Sequence, residues 1–268
     1  MSNYKVCGYD MDILHDRMLE IAVEVDRICR EQGFKCSLYG GSVIGAVRHN
    51  GFIPWDHDID MAMPRKDYDK FVKYMQTHPN DKIFLSNYKT EKRYPNNWSK
   101  VRLNGTVFQE KELEPLAELH NGVFIDLHPI DNILPKLVNL QVKITMFWSC
   151  VGKVKSGIYN GSESKKRFYK LLSWLPYGVI NANRSFGMKM LKPFKTKYVY
   201  KVAHPNNGIY PIDRNTFEDL IEHKFENVKF FIPRNYDEFL TKRYGDYMQI
   251  PPESKEYNCC TTIVECKL

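Results

Sequence analysis

Residues 38–63 read LYGGSVIGAVRHNGFIPWDHDIDMAM, and this stretch combines a glycine turn with a cluster of acidic residues. A short strand is predicted at 35–39, just before Gly40, Gly41 and Ser42, and a helix is predicted to begin on that turn. This arrangement suits phosphate, because glycine lets the backbone approach an anion and the unpaired N–H groups of a helix N-terminus point at it. The turn therefore predicts a phosphate-binding site.

Three aspartates in two predicted strands form the second feature. Alternation along residues 56–63 places Asp58 and Asp60 on one face of a strand, and alternation along residues 122–131 sets Asp126 opposite the aliphatic side chains. Clustered carboxylates raise one another's pKa unless a cation neutralises them. Mg²⁺ (or Mn²⁺) bridges such carboxylates to substrate phosphates, so the pattern predicts metal-dependent transfer of a phosphoryl-type group.

The rest of the chain predicts an α/β (α+β) fold in one compact unit, since 268 residues bury one large core. Residues 11–31 have the apolar stripe of an amphipathic helix, with Gly33 as its C-terminal cap. A helix is predicted after Pro64, and a short helix is predicted to stop at Gly245. Residues 135–200 are helical and basic in composition, interrupted by a turn-rich break at 160–167, and predict an inserted helical layer on a mixed sheet.

Composition limits the partners and the location. The net charge of +7 allows an anionic partner, but no RNA-binding motif accompanies it, so nucleic acid is not expected. The N-terminus lacks a secretory signal pattern and no apolar run is long enough to span a bilayer, which predicts a cytoplasmic protein with reduced cysteines. Segments 137–152 and 168–180 are apolar, aromatic and close to lysines. We predict that they are buried core helices, with interfacial membrane contact as the alternative.

Three blocks of this sequence resemble the LicD family of phosphotransferases, which have a nucleotidyltransferase-like fold and are similar to the fukutin-related proteins. They are GGSVIGAVRHNGFIPWDHDIDMAMPRKDY, GVFIDLHPID and YGDYMQIPP, in that order, and the resemblance spans roughly residues 12–255. Many members have Asp where this chain has His57, whose role stays open. The resemblance implies a single unit of residues 1–268 with a catalytic core at 1–134, a helical insertion at 135–200 and a completing part at 201–268.

The resemblance also implies roles for individual residues. Gly41 and Ser42 would bind the donor phosphates, and Asp58 and Asp60 would ligate the metal. Asp126 would be the third acid, which shares the metal or takes the proton of the attacking hydroxyl. Further candidates for the donor phosphates are Arg48 and Lys100, each with a surface or strand-edge role as the alternative.

Family members are best known for moving phosphocholine from CDP-choline to a cell-surface glycan precursor, with release of CMP. A quaternary ammonium is recognised by aromatic faces, so the choline candidates are Tyr94, Trp98, Trp148 and Trp174, each of which could instead be a core residue. The expected acceptor is a teichoic-acid-type or lipopolysaccharide sugar carried on a membrane lipid. The enzyme would then work at the inner face of the cell membrane as a peripheral protein.

Three rival functions remain open at this point. The same metal site could transfer glycerol phosphate or ribitol phosphate from a CDP-alditol. In a true nucleotidyltransferase, the acceptor would attack the α-phosphate of the nucleotide, and pyrophosphate would be released. A scaffold that binds nucleotide without turnover is the non-enzymatic alternative.

Overall fold

A computed structural model describes residues 4–205, 208–250 and 263–268. The helices are α1 Met11–Gln32, α2 Gly41–Ile44, α3 Arg65–Thr77, α4 Val138–Ser156, α5 Glu163–Lys170, α6 Tyr177–Lys189, α7 Asn215–Glu218 and α8 Tyr236–Tyr244. A π-helical turn, Gly45–His49, continues α2, and a 3₁₀ helix spans Lys111–Leu116. The strands are β1 Lys5–Val6, β2 Tyr9–Asp10, β3 Ser37–Leu38, β4 Asp60–Pro64, β5 Ile83–Ser86, β6 Ser99–Leu103, β7 Val107–Glu110, β8 Phe124–Ile133, β9 Tyr198–Tyr200, β10 Ile212–Asp213, β11 Leu220–Phe225, β12 Val228–Pro233 and β13 Ile263–Lys267.

A mixed seven-stranded sheet forms the centre of the fold, as the α/β prediction requires. Its strands run in the order β10-β9-β8-β4-β3, and β6 joins β5 to β8. Strands β4 and β8 are parallel, whereas β3 is antiparallel to β4 and both β6 and β9 are antiparallel to β8. The long strand β8 therefore has β4 on one side and successively β6 and β9 on the other.

Helix α1 covers the sheet through the apolar stripe that the sequence predicts. The side chains that define the stripe are all buried: Leu14, Met18, Ile21, Val25 and Ile28. The helix ends at Gly33, which has the left-handed backbone (φ 65°) and donates its N–H back to the Arg30 carbonyl. The short helices after Pro64 and before Gly245 are also confirmed.

The helical layer, α4 to α6, is inserted between two strands that pair with each other, β8 and β9. Helices α4 and α6 pack closely because Gly187 has no side chain. A Cβ there would lie 2.5 Å from the Thr145 hydroxyl oxygen and 2.8 Å from its amide nitrogen. The predicted turn-rich break is only partly right, because α5 begins at Glu163 and includes the basic residues up to Arg167. Ser162 precedes it with extended backbone, as expected for a residue before a helix.

The same layer leaves large apolar side chains in solvent. Helix α5 buries no residue, and Phe168, Leu171 and Trp174 are 57%, 69% and 74% exposed. The prediction of a buried core helix is therefore wrong for segment 168–180, in which Ile180 alone is buried. The apolar run is real, but no neighbouring element among the described residues covers it.

Candidate active site

Two of the predicted acids meet on neighbouring strands. Asp60 is the first residue of β4, and the parallel register pairs it directly with Asp126 of β8. The strand begins at Asp60, so Asp58 lies in the loop before it rather than within the alternating strand. Ile59, between them, is completely buried and anchors this loop to the core. The prediction of a carboxylate pair on adjacent strands holds for Asp60 and Asp126.

The glycine turn lies against Asp60. The Ser42 hydroxyl oxygen accepts a hydrogen bond from the Asp60 amide at 2.8 Å, so the turn and the first acid of β4 are held together. Gly40 has a positive φ of 58°, and a Cβ at that residue would lie 3.3 Å from the Asp60 carboxylate oxygen Oδ2. Gly41 begins α2, and a Cβ on this residue would lie 3.5 Å from the Asp56 carboxylate oxygen Oδ2. The predicted phosphate turn and the predicted metal acids therefore share one site.

The pKa values of the acids at this site are shifted from their usual values. Burial and the neighbouring carboxylates Asp56, Asp60 and Asp126 raise the pKa of Asp58 well above its usual value. Burial, followed by the charge of Asp60, raises the pKa of Asp56 to about 6. Burial also opposes ionisation of Asp60, but His128, Lys201 and Arg243 outweigh it and hold its pKa below the usual value. Cationic side chains of the protein thus stabilise the ionised form of Asp60, whereas Asp58 is surrounded mainly by carboxylates.

His128 is a residue of this site that the sequence reasoning missed. Its Nε2 lies 2.9 Å from Oδ1 of Asp60, and the ring is almost completely buried. Burial and the nearby Lys201 lower its pKa, which favours the neutral imidazole. The signal was present in the quoted block, because His128 follows Asp126 by two residues in β8 and so shares its face.

The donor set fits a divalent cation. One ligand atom from each of Asp60, Asp126 and His128 lies within 4.8 Å of the others. Oδ1 of Asp126 is buried and has no hydrogen-bond partner among the described residues; the nearest cation, the Lys100 ammonium, is 3.8 Å away. Buried carboxylate oxygens without partners are costly, and a metal ion satisfies them.

The two predicted phosphate cations have protein partners. Lys100 is buried, pairs with Glu110 at 2.8 Å and lies in register beside Asp126. Arg48 donates two hydrogen bonds from Nη1, to the carbonyl oxygens of Tyr247 (2.8 Å) and Gln249 (3.2 Å). Arg48 thereby fastens the end of the π-helical turn to the chain after α8.

The four choline candidates lie in different environments. Trp98 stacks on His204 with ring centroids 4.4 Å apart, and its centroid is 5.7 Å from that of His128. Tyr94 is buried in a cluster with leucines of the 107–119 region. Trp148 is on α4 and contacts Phe147, and Trp174 is exposed. Trp98 is the candidate that the structure brings next to the acids.

Two cations, Lys201 and Arg243, border the acids without having been predicted. Lys201 follows β9, Arg243 is in α8, and both face the ring of Tyr39, which precedes the glycine turn. No local pattern identifies them, since they reach the site only through the packing of β9 and α8 beside the first half of the chain.

Part of the chain that contains these acids matches a known family model. Residues 33–133 match the family model described as LicD/FKTN/FKRP, nucleotidyltransferase domain. This segment is therefore similar to the nucleotidyltransferase domain of LicD-family proteins. The glycine turn, Asp58, Asp60 and Asp126 all lie inside the matched LicD segment, whereas Lys201 and Arg243 lie outside it.

The likeness to LicD proteins extends beyond that domain. The chain is 28% identical to the lipopolysaccharide cholinephosphotransferase LicD of Haemophilus influenzae, over an alignment that covers 85% of this chain and 88% of that protein. An alignment of this extent includes the helical layer and at least the beginning of the C-terminal part. Among the described residues, none of the helices has the length and apolar character that crossing a membrane requires.

Proposed function

We propose that this protein is a metal-dependent transferase that moves phosphocholine from CDP-choline to a hydroxyl of a cell-surface glycan precursor and releases CMP. The observation that carries the proposal is the Asp60–Asp126 pair beside the Ser42 turn. Its support comes from the similarity to a lipopolysaccharide cholinephosphotransferase. The division into a catalytic core (1–134), a helical insertion (135–200) and a completing part (201–268) belongs to the same proposal.

The proposed metal is Mg²⁺ or Mn²⁺, held by Asp60 and Asp126 with Asp58 as the third acid. Two observations favour a cation at this place: Oδ1 of Asp126 accepts no hydrogen bond from a described residue, and the pKa of Asp58 is raised. Oxygen ligands suit Mg²⁺, whereas an imidazole ligand is better suited to other metals, so we assign His128 to orienting Asp60. When bound, the ion would neutralise the negative charge that develops on the transferring phosphate.

The protein's own groups account for the remaining chemistry. The acceptor hydroxyl oxygen attacks the phosphorus that carries choline, a new P–O bond forms, and the bond from that phosphorus to the bridging oxygen of CMP breaks. Asp126 acts as the general base that accepts or orients the proton of the acceptor hydroxyl. Gly41 and Ser42 would hold the donor phosphates at the N-terminus of α2, where backbone N–H groups favour anions. No covalent enzyme intermediate is required.

Choline recognition is assigned to Trp98. Its indole stacks on His204 and approaches the ring of His128, which is the partner of Asp60. An aromatic face attracts a quaternary ammonium that can neither donate nor accept a hydrogen bond. Tyr94 and Trp148 stay weaker candidates, because one is buried among leucines and the other is on α4.

Donor comparison tests the proposal against its rivals. The protein is incubated with Mg²⁺ and a lipid-linked glycan acceptor, together with CDP-choline, CDP-glycerol, CDP-ribitol or a nucleoside triphosphate in separate reactions, and CMP and pyrophosphate are measured. We expect CMP from CDP-choline alone. CMP from a CDP-alditol would show that the transferred group is an alditol phosphate rather than phosphocholine. Pyrophosphate from a nucleoside triphosphate would indicate a nucleotidyltransferase. Nucleotide binding without any product would indicate a scaffold.

We further propose that the enzyme works on the inner face of the cell membrane without spanning it. Residues 134–197 contain 13 Lys and Arg but a single acidic residue, Glu163, so this part carries +12 of formal charge and leaves −5 to the rest of the chain. The exposed Phe168, Leu171 and Trp174 lie in the same part. A basic surface with exposed apolar side chains is complementary to anionic headgroups and to the acyl boundary beneath them.

A further inference from the structure

Lys201 is a buried cation close to the acids. Only 4% of its surface is exposed, and among the described residues its ammonium forms no hydrogen bond and no ion pair. The ammonium lies over the face of Tyr39, whose ring centroid is 5.2 Å from Nζ. A buried Lys is costly unless it is paired. Burial lowers the pKa of Lys201, while the charges of Asp60 and Asp126 oppose that shift and indicate that the acids are near.

Arg243 is held beside Lys201 by aromatic rings rather than by carboxylates. Its guanidinium carbon is 4.8 Å from the Tyr39 ring centroid, 5.0 Å from that of Tyr244 and 5.9 Å from that of Tyr210. The rings stabilise the charge but accept few of its N–H donors. Nη1 of Arg243 is buried and has no hydrogen-bond partner among the described residues.

The two cations lie at the same ring and repel each other, and the charge of Arg243 further lowers the pKa of Lys201. Simple neutralisation of Asp60 does not explain them, because neither cation is within ion-pair distance of a described carboxylate, and Oδ1 of Asp60 is already bound by His128. The site thus contains carboxylates that require a cation and cations that require an anion. A divalent metal with a bound diphosphate satisfies both.

We propose that Lys201 and Arg243 form an anion-binding subsite that takes the diphosphate of the nucleotide donor. The inference rests on the proposed function for the identity of that donor. It adds phosphate contacts from two residues outside the matched 33–133 segment to those proposed for Gly41 and Ser42. The glycine turn borders the same space, since a Cβ on Gly40 would lie 3.2 Å from the Tyr244 hydroxyl and 3.3 Å from Oδ2 of Asp60.

The test uses pyrophosphate, which carries the anionic part of the donor alone, and Mn²⁺ as the metal probe. Lys201→Met and Arg243→Met should each weaken pyrophosphate binding in calorimetry about tenfold or more, the scale of a lost charge-assisted hydrogen bond. Mn²⁺ binding without anion, followed by electron paramagnetic resonance, should be unchanged or tighter, because a repelling cation has been removed. The control is Lys242→Met, which removes an exposed cation next in the chain that pairs with Glu238.

The opposite responses to metal and anion separate this role from a structural one. The inference is overturned if Lys201→Met and Arg243→Met lose affinity for both Mn²⁺ and pyrophosphate. It is also overturned if they bind pyrophosphate as tightly as Lys242→Met does, or if the wild type does not bind pyrophosphate. CDP-choline is titrated in parallel. If the wild type binds pyrophosphate but not CDP-choline, the subsite stands and the proposed donor is wrong.

Discussion

The His128 imidazole lies with Nε2 2.9 Å from Oδ1 of Asp60, on the strand next to the one that carries Asp60. If His128 orients Asp60, His128→Ala should lower transfer from CDP-choline and Mn²⁺ affinity by about 10–100-fold, as is usual for partners of metal ligands. His128→Gln should retain more of both, since its amide can still donate. Steady-state kinetics and Mn²⁺ titration measure the two effects. Equal losses in both variants would argue against an orienting hydrogen bond.

The exposed side chains of the helical layer predict membrane binding. The wild type should sediment with anionic liposomes at low salt, and binding should weaken but persist as salt rises, because salt screens the roughly 1 kcal/mol contributed by each nearby Lys or Arg but not apolar insertion. Replacing Phe168, Leu171 and Trp174 by Ser should remove the salt-resistant part. Ile13→Ser, an exposed apolar residue on α1, is the control. Absence of liposome binding at low salt contradicts the proposed location.

Acid should destabilise the protein partly through His15. Burial lowers its pKa, although Asp12, Asp16 and Glu226 oppose the shift. The folded state therefore binds this proton less readily than the unfolded state, whose pKa is about 6.5. The stability that the neutral ring provides is complete above that value and is lost as the pH falls towards the folded-state pKa.

The free energy of urea unfolding measures this effect. Between pH 7.5 and 5.5 it should fall less in His15→Gln than in the wild type, whereas His78→Gln, which changes an exposed ring, should follow the wild type. A fall in His15→Gln as large as in the wild type would show that His15 does not titrate in this way.

Close packing of α4 against α6 predicts opposite effects of alanine at two glycines of α6. Gly187→Ala should destabilise the protein by about 1–3 kcal/mol, because its Cβ would overlap the backbone of Thr145. Gly178→Ala should be neutral or stabilising by up to about 1 kcal/mol, since nothing lies within 4 Å of its Cβ and alanine favours helix. Urea unfolding compares them. Equal effects would mean that the helices pack differently.

The sequence predicted those features that local patterns determine. Alternation along two strands identified Asp60 and Asp126, and the apolar stripe of α1 was confirmed residue by residue. Asp58 was assigned to the strand because alternation does not show where a strand begins. Lys201 and Arg243 could not be predicted, since only tertiary packing brings β9 and α8 to the acids.

The exposure of the helical layer was also beyond local reasoning. An apolar run such as 168–180 predicts a helix or turn with hydrophobic side chains, but it does not show whether another element covers them. In the structure, Trp174 is 74% exposed while polar side chains such as Gln141 and Thr145 of α4 are buried. Which side chains of the helical layer are buried depends on the faces through which α4 and α6 pack, and Gly187 allows their close contact at Thr145.

The central claim is that Asp60 and Asp126 carry phosphocholine transfer with a divalent metal. The most direct measurement is CMP release from CDP-choline in the presence of Mg²⁺ and a lipid-linked glycan acceptor, for the wild type, Asp60→Asn and Asp126→Asn, each with and without EDTA. We expect turnover by the wild type that EDTA abolishes, and a loss of at least about 10²-fold in both variants, the scale of a lost electrostatic stabiliser, with unchanged circular dichroism. Full turnover in EDTA, or wild-type turnover by the two variants, would contradict the account.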